Sequence, residues 1–153
     1  MMASKVFINQ INEMMKAYLV TTQDIRARLC MSNCTAAVAA LTAAAIHLND
    51  LTADKSDASG YADVALTTEA STVDDPNDRA EFTDSGAASV VFSGLGGNAT
   101  RNYTGVLLYK YIDGTDANDI AIAWIEFGST VVKESTSVTV TWNAQGIIQG
   151  ANA

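Results

Sequence analysis

The sequence predicts a mainly β protein, an antiparallel β-sandwich or barrel-like domain with one or two short helices on its N-terminal side. The chain has 153 residues, enough for one domain with one substantial core. Short apolar runs alternate with regular turn signals, which is typical of such folds. Charged residues make up 17% of the chain, below the ~25% of ordinary proteins, so Ser, Thr, Asn, Ala and Gly must cover much of the surface. We predict one domain over residues 1–153, with a helix or arm over 1–16 and a β-rich body over 17–150.

Three strands near the C-terminus form the predicted framework. Residues 105–112 and 120–127 are almost continuously apolar, and Gly128 is expected to end the second run. Apolar side chains on both faces are typical of central strands covered on two sides. The third strand alternates, with Val138, Val140 and Trp142 on its inner face.

An apolar stripe near a 3.6-residue spacing predicts a helix at the N-terminus, with Ser4 as its N-cap. The stripe contains several methionines, which is typical of core positions or protein contacts. It consists of Val6, Phe7, Ile8, Ile11, Met14, Met15 and Tyr18.

A strand is predicted over residues 24–31, because apolar and polar side chains alternate there. A second helix is predicted over the alanine-rich residues 35–48. Short strands are expected over 64–68, 79–82 and 89–92, with a turn around Pro76. In the strand over 24–31, the inward residues are Ile25, Ala27, Leu29 and Met31, and the outward ones are Arg26, Arg28 and Cys30.

The charge is unevenly distributed along the chain. Residues 1–34 hold four basic against two acidic residues, whereas residues 35–84 hold ten acidic against two basic ones. The net charge of −8 argues against a nucleic-acid groove, since phosphate binding needs clustered Lys and Arg. No run is long enough to span a membrane, and the first residues lack the pattern of a signal peptide. We therefore expect synthesis in the cytosol and no membrane partner.

The candidate chemical groups do not form a catalytic pattern. Cys30 and Cys34 would need two more ligands to hold zinc, and the chain has one histidine, His47. The turn over residues 113–119 offers oxygen ligands without the EF-hand spacing, so cation binding there stays open. Neither a nucleophile elbow nor a phosphate-binding loop is present in the sequence. We predict that the protein is not an enzyme and has no cofactor.

A series of motifs follows in order between residues 25 and 147: Ile25-Arg26-Ala27-Arg28-Leu29, Ser59-Gly60-Tyr61 with Ala65-Leu66, Ala80-Glu81-Phe82, Val106-Leu107-Leu108-Tyr109-Lys110-Tyr111, Ala123-Trp124-Ile125-Glu126-Phe127-Gly128 and Val140-Thr141-Trp142-Asn143-Ala144-Gln145-Gly146-Ile147. This series resembles a family of small structural proteins of tailed bacteriophages and prophages. The resemblance implies a virion protein, with head decoration (capsid cement) as its role, the major capsid protein as its partner and a location on the head surface. The two-sided apolar strands and the low charged content predict a homo-oligomer, and the resemblance favours a trimer.

The N-terminal segment is the expected docking surface, because it alone is net basic and carries an adaptable stripe of Met and Phe. Two alternatives remain: a tail or head–tail connector component, and a carbohydrate-binding β-sandwich that uses Trp124 or Trp142 as a sugar platform. The predicted capsid contacts are Val6, Phe7, Ile11, Met14, Met15, Lys16, Arg26 and Arg28.

Overall fold

A computed structural model describes residues 8–20, 24–32, 47–50, 55–77, 79–84, 89–144 and 146–151. The contacts between residues divide the chain into two compact units. The first combines residues 1–23, 66–89 and 141–153, and the second combines residues 24–65 and 90–140. The assignment of one domain to the whole chain stays a prediction.

The structure confirms the predicted class, because it is mainly β with antiparallel sheets and helical structure near the N-terminus. The helical segment comprises α1 (Ile8–Met15) and a π-helical turn (Lys16–Val20), and a 3-10 turn follows at Asp75–Asn77. The strands are β1 (Ile25–Met31), β2 (Val64–Ala65), β3 (Glu69–Asp74), β4 (Arg79–Asp84), β5 (Ser89–Ser93), β6 (Tyr103–Lys110), β7 (Ile120–Val131), β8 (Ser137–Thr141) and β9 (Ile148–Ala151).

The first unit packs α1 on a three-stranded sheet with the order β3-β4-β9. Strand β4 alternates strictly, and Ala80 and Phe82 are fully buried. Ile11 of α1 lies against Gly150, where a Cβ atom would come within 2.6 Å of Ile11 Cγ2. The hydroxyl of Ser71 lies 2.6 Å from the amide oxygen of Asn12 and donates to it. The helix is therefore part of this unit's packing rather than a detached arm.

The second unit is built on a four-stranded antiparallel sheet with the order β2-β1-β6-β7, beside a two-stranded pair of β5 and β8. Strand β6 pairs with β1 on one side, where Ala27 faces Leu108, and with β7 on the other, where Leu107 faces Trp124. Residues 105–109 are all buried, so both faces of β6 are covered. The prediction of a central strand is therefore right for β6.

Strand β7 differs from the prediction in length and position. It is the last strand in the order of its sheet and its residues are half-buried or exposed, so the expectation of a central strand is wrong. It also continues past Gly128 to Val131. Glu126 pairs with Gly105 and Val131 with Tyr103, which leaves four β7 residues opposite one residue of β6. Gly128 lies in that bulge and does not end the strand.

Strand β1 confirms the predicted inner face, since Ile25, Ala27, Leu29 and Met31 are at most 2% exposed. The outward assignment is wrong for Arg28 and Cys30, which are 3% and 0% exposed. Cys30 joins Leu48, Leu107 and Tyr109 in a core cluster on the second face of the sheet. The alternation could not show this, because the covering residues are distant in sequence.

Other predicted elements are shorter than expected or lie outside the described residues. The strand predicted over 64–68 is reduced to the two residues of β2. The strands predicted over 79–82 and 89–92 are found as β4 and β5. The alanine-rich helix over 35–48 falls outside the described residues, apart from His47 and Leu48.

Candidate functional site

Arg28 is the most unusual side chain of the second unit, because a charged group is rarely buried without partners. Its Nη2 atom donates to Asp63 Oδ2 at 2.9 Å and to Asp116 Oδ1 at 2.8 Å, and its Nε atom donates to Asp63 Oδ2 at 3.1 Å. Burial alone would lower the pKa of Arg28, but hydrogen bonds from Arg28 to Asp116 and Asp63 outweigh it and raise that pKa. The guanidinium is thus a permanent cation inside the unit.

Asp63 collects donors from three other residues. The hydroxyl of Tyr61 donates to Asp63 Oδ1, and that of Tyr109 donates to Asp63 Oδ2 at 2.7 Å. Tyr61 also accepts the backbone N–H of Leu29 at 2.9 Å, which ties it to β1. Burial, and then the neighbouring Asp63 carboxylate, raise the pKa of both tyrosines above its ordinary value. Asp63 therefore accepts hydrogen bonds from two hydroxyls and from the guanidinium of Arg28.

Arg26 lies two residues before Arg28 and on the same face of β1. Its Nε and Nη2 atoms donate to Asp24 at 3.0 and 2.7 Å. Its guanidinium carbon lies 3.5 Å from the centroid of the Tyr111 ring, so the cation stacks on the aromatic face. The hydrogen bond to Asp24 raises the pKa of Arg26. This arginine is half-buried and fixed in place.

The turn after β6 supplies the remaining wall. Asp119 is 1% exposed, and its Oδ1 atom accepts the backbone N–H groups of Ile112 at 2.7 Å and Asp113 at 3.3 Å. Asp113 accepts the N–H of Thr115 and the amide of Asn118, both at 2.8 Å, and the Asn118 bond is the main cause of its lowered pKa. These carboxylates close the turn. Within the described residues, no group of three or more His, Cys, Asp or Glu side chains is arranged to hold a metal ion.

A cavity of about 320 Å³ opens between these elements. Its walls combine the two arginines of β1 with Lys55, Tyr109 of β6, and Tyr111 and the turn that follow this strand. Ionised groups of both signs meet in this cavity, which we call the Arg28 pocket. Its charged lining residues are Arg26, Arg28, Lys55, Asp63, Asp116 and Asp119.

The predicted capsid contacts occupy different environments in the structure. Met14 is 69% exposed, Lys16 is exposed, and Ile11 and Met15 are half-buried. Val6 and Phe7 lie outside the described residues. Arg26 is half-buried in its ion pair.

Arg28 does not fit a docking surface, because its side chain is only 4% exposed and forms ion pairs with two carboxylates. The structure thus separates the predicted contacts into residues of the helical segment in the first unit and two arginines of the second unit. A signal for the Arg28 pocket was present in the sequence: two arginines spaced by two within an apolar strand. The acids that pair with Arg28 were not identifiable, since Asp63 and Asp116 lie 35 and 88 residues away.

The cysteines, the histidine and the tryptophans considered in the sequence analysis were the other candidates for a chemical or binding role. The Cys30 thiol donates to the Arg28 carbonyl oxygen at 3.6 Å, and Cys34 lies outside the described residues. His47 is half-buried, and its backbone forms a β-bridge with Ile120. Trp124 packs on the core cluster and across Gly105, which does not favour a sugar platform. Trp142 is half-buried, and its Nε1 atom is buried.

Comparisons with protein-family models, with curated proteins and with solved structures gave no match to this chain. Within the described residues, no helix is both long enough and apolar enough to cross a bilayer.

Proposed function

We propose that the protein is a virion structural protein that decorates and stabilises a phage head by binding the major capsid protein. The observation that carries this proposal is the ordered series of phage-like motifs between residues 25 and 147. In the structure, the most apolar of these motifs coincide with β1, β4, β6 and β7. They are therefore framework segments, as expected for a resemblance that concerns an assembly protein rather than a catalytic site.

The docking surface in this proposal is the exposed side of the helical segment. Met14 is 69% exposed and Tyr18 is 47% exposed, and Lys16, which lies between them in sequence but on another side of the helical segment, is also exposed. Met and Tyr adapt to a partner surface and contribute much of the binding energy at protein interfaces. Lys16 adds a positive charge that favours an acidic partner. We call Met14, Lys16 and Tyr18 the helix surface.

Stabilisation of the shell would come from binding alone. A ligand that binds only the assembled state stabilises it by mass action, and each bound copy adds to the total. A stable contact of this kind buries about 1,200–2,000 Å² in total, more than three side chains supply. The helix surface is therefore the anchor of a larger contact in this proposal.

Co-sedimentation with expanded capsids tests the proposal. The double variant Met14→Gln, Tyr18→Gln keeps Ile11 and Asn12, which pack on the sheet, and removes the exposed apolar groups. We expect it to remain folded and to lose at least about tenfold in capsid affinity, since truncated anchor residues typically cost more than 1.4 kcal/mol.

The matched control is Val91→Gln, which makes the same kind of change at a 45% exposed position outside the helical segment. It should bind as the wild type does. Wild-type protein that fails to pellet with capsids would refute the decoration role. Full binding by the folded double variant would refute the helix surface as the anchor.

A further inference from the structure

We propose that the Arg28 pocket binds a small molecule through a single carboxylate group. The cavity volume of about 320 Å³ lies at the small end of the range for ligand pockets, ~300–1,000 Å³. The pocket belongs entirely to the second unit, and the proposal does not depend on the virion role.

The carboxylate oxygens of Asp63 and Asp119 already accept hydrogen bonds from other groups of the protein. Asp63 accepts from Tyr61, Tyr109 and Arg28, and Asp119 accepts two backbone N–H groups. Carboxylates occupied in this way have little capacity left for a ligand's donors or for a metal ion. The pocket is therefore poorly suited to a cation.

The donors of the pocket are incompletely used. The whole Arg28 residue is only 3% exposed. Its Nη1 atom is buried and has no hydrogen-bond partner among the described residues. A buried cationic N–H without an acceptor is costly. Among the described residues, the Lys55 ammonium also has no hydrogen bond or ion pair, and Arg26 uses only Nε and Nη2, both for Asp24. An oxyanion supplies the acceptors that these donors lack.

The charge balance selects a monoanion. Three cations and three carboxylates line the pocket, and Asp24 pairs with Arg26 beside it, so no excess of positive charge favours a dianion. A carboxylate adds one negative charge and gains charge-assisted hydrogen bonds. A phosphate dianion would add two charges beside Asp63, Asp116 and Asp119, and like-charge repulsion at this distance is costly.

The arginines are also held in place before any ligand arrives. Arg26 is fixed between Asp24 and the Tyr111 ring, 3.5 Å from the ring centroid, and Arg28 is fixed by two carboxylates. Little side-chain entropy is then lost on binding, which favours affinity.

An NMR titration of the full-length protein with sodium acetate, at constant ionic strength against sodium chloride, tests this proposal. We expect saturable shifts confined to the signals of Arg26, Arg28, Lys55 and Tyr111. The variant Lys55→Gln removes one charge-assisted bond and should weaken acetate binding about tenfold or more. Lys133→Gln, at a lysine whose side chain is 45% exposed and which does not line the pocket, is the matched control. It should change the affinity by less than about twofold.

A parallel titration with inorganic phosphate tests the selection of a monoanion, and thermal unfolding of each variant shows that it is folded. Weaker binding of phosphate than of acetate supports the proposal. Shifts that do not saturate, equal acetate affinity in folded Lys55→Gln and wild type, or tighter binding of phosphate would each overturn it.

Discussion

Arg28 and Asp63 form a buried ion pair that joins β1 to a segment 35 residues further along the chain, with Nη2 and Oδ2 2.9 Å apart. The side chains are 4% and 16% exposed. Such a pair contributes little beyond what an apolar pair would, but removal of one partner leaves the other charge buried and unpaired.

We expect Asp63→Asn to lower the free energy of unfolding by about 1–3 kcal/mol, because Arg28 loses the Asp63 carboxylate but keeps its ion pair with Asp116. Urea denaturation measures this change. The control is Asp24→Asn, which breaks the more exposed pair with Arg26, where the aspartate side chain is 41% exposed. That variant should lose less than about 1 kcal/mol. If the two variants lost the same free energy of unfolding, the Arg28–Asp63 pair would not be buried as described.

The contact between Gly105 and Trp124 gives a second prediction. A Cβ atom at position 105 would lie 2.5 Å from the Trp124 ring and from the Ile125 carbonyl oxygen. Gly105→Ala should therefore cost about 1–3 kcal/mol through overpacking. It should also shift the tryptophan fluorescence spectrum, because the ring must move.

Gly128→Ala is the matched control in the same strand, since nothing lies within 4 Å of a Cβ atom there. It should leave stability unchanged or raise it by up to about 1 kcal/mol. If Gly105→Ala were equally harmless, Trp124 would not pack across Gly105.

Alkaline stability follows from the two tyrosines that donate to Asp63. Burial and Asp63 raise the pKa of Tyr61 and Tyr109 above the ordinary value of 10.0. The folded protein then keeps protons that the unfolded chain releases. Their stabilising contribution is complete below pH 10.0 and is lost as the pH rises above that value.

Denaturation at a series of alkaline pH values should show this decline, and tyrosinate absorbance should show two tyrosines that ionise only on unfolding. Tyr109→Phe should reduce the slope. Tyr18→Phe, at a tyrosine that is 47% exposed, should leave it unchanged. An identical slope in wild type and Tyr109→Phe would contradict the assigned cause.

The sequence was sufficient for the parts of the fold that depend on local periodicity. The inner face of β1, the two-sided burial of β6 and the alternation of Val138 and Val140 all follow from the spacing of apolar residues. Strand ends were harder, because they depend on distant partners. The Tyr111 N–H donates to the Asp24 carbonyl oxygen at 2.8 Å, next to the end of β6, and residue spacing alone does not show such a bond.

Beyond the two arginines of β1, the Arg28 pocket could not be predicted, because its other walls come from distant parts of the chain. The alternation of side chains over residues 24–31 assigned Arg28 to the outer face, together with Arg26 and Cys30. Its burial depends on Asp63 and Asp116, which reach it only in the folded chain. Periodicity carries information about neighbours within a strand and none about which distant carboxylates compensate a buried charge.

Self-association is the last prediction. The low charged content of 17% and the two-sided apolar strands of the sequence motivate it, and Ile112 and Val132 are exposed apolar residues available for such a contact. The resemblance to head decoration proteins favours a trimer, and closed rotational symmetry would satisfy each copy's contact surface. Light scattering coupled to size exclusion should therefore give three times the chain mass of 16.1 kDa.

Val132→Glu tests whether this surface is used, because residue 132 is 58% exposed and follows the end of β7. A buried, unpaired carboxylate at an interface opposes association, so the variant should shift towards monomer on dilution. Thr139→Glu adds the same charge at an exposed position of β8 and should leave the mass unchanged. A wild-type protein that is monomeric at every concentration would rule out a preformed trimer, and assembly would then have to occur on the capsid.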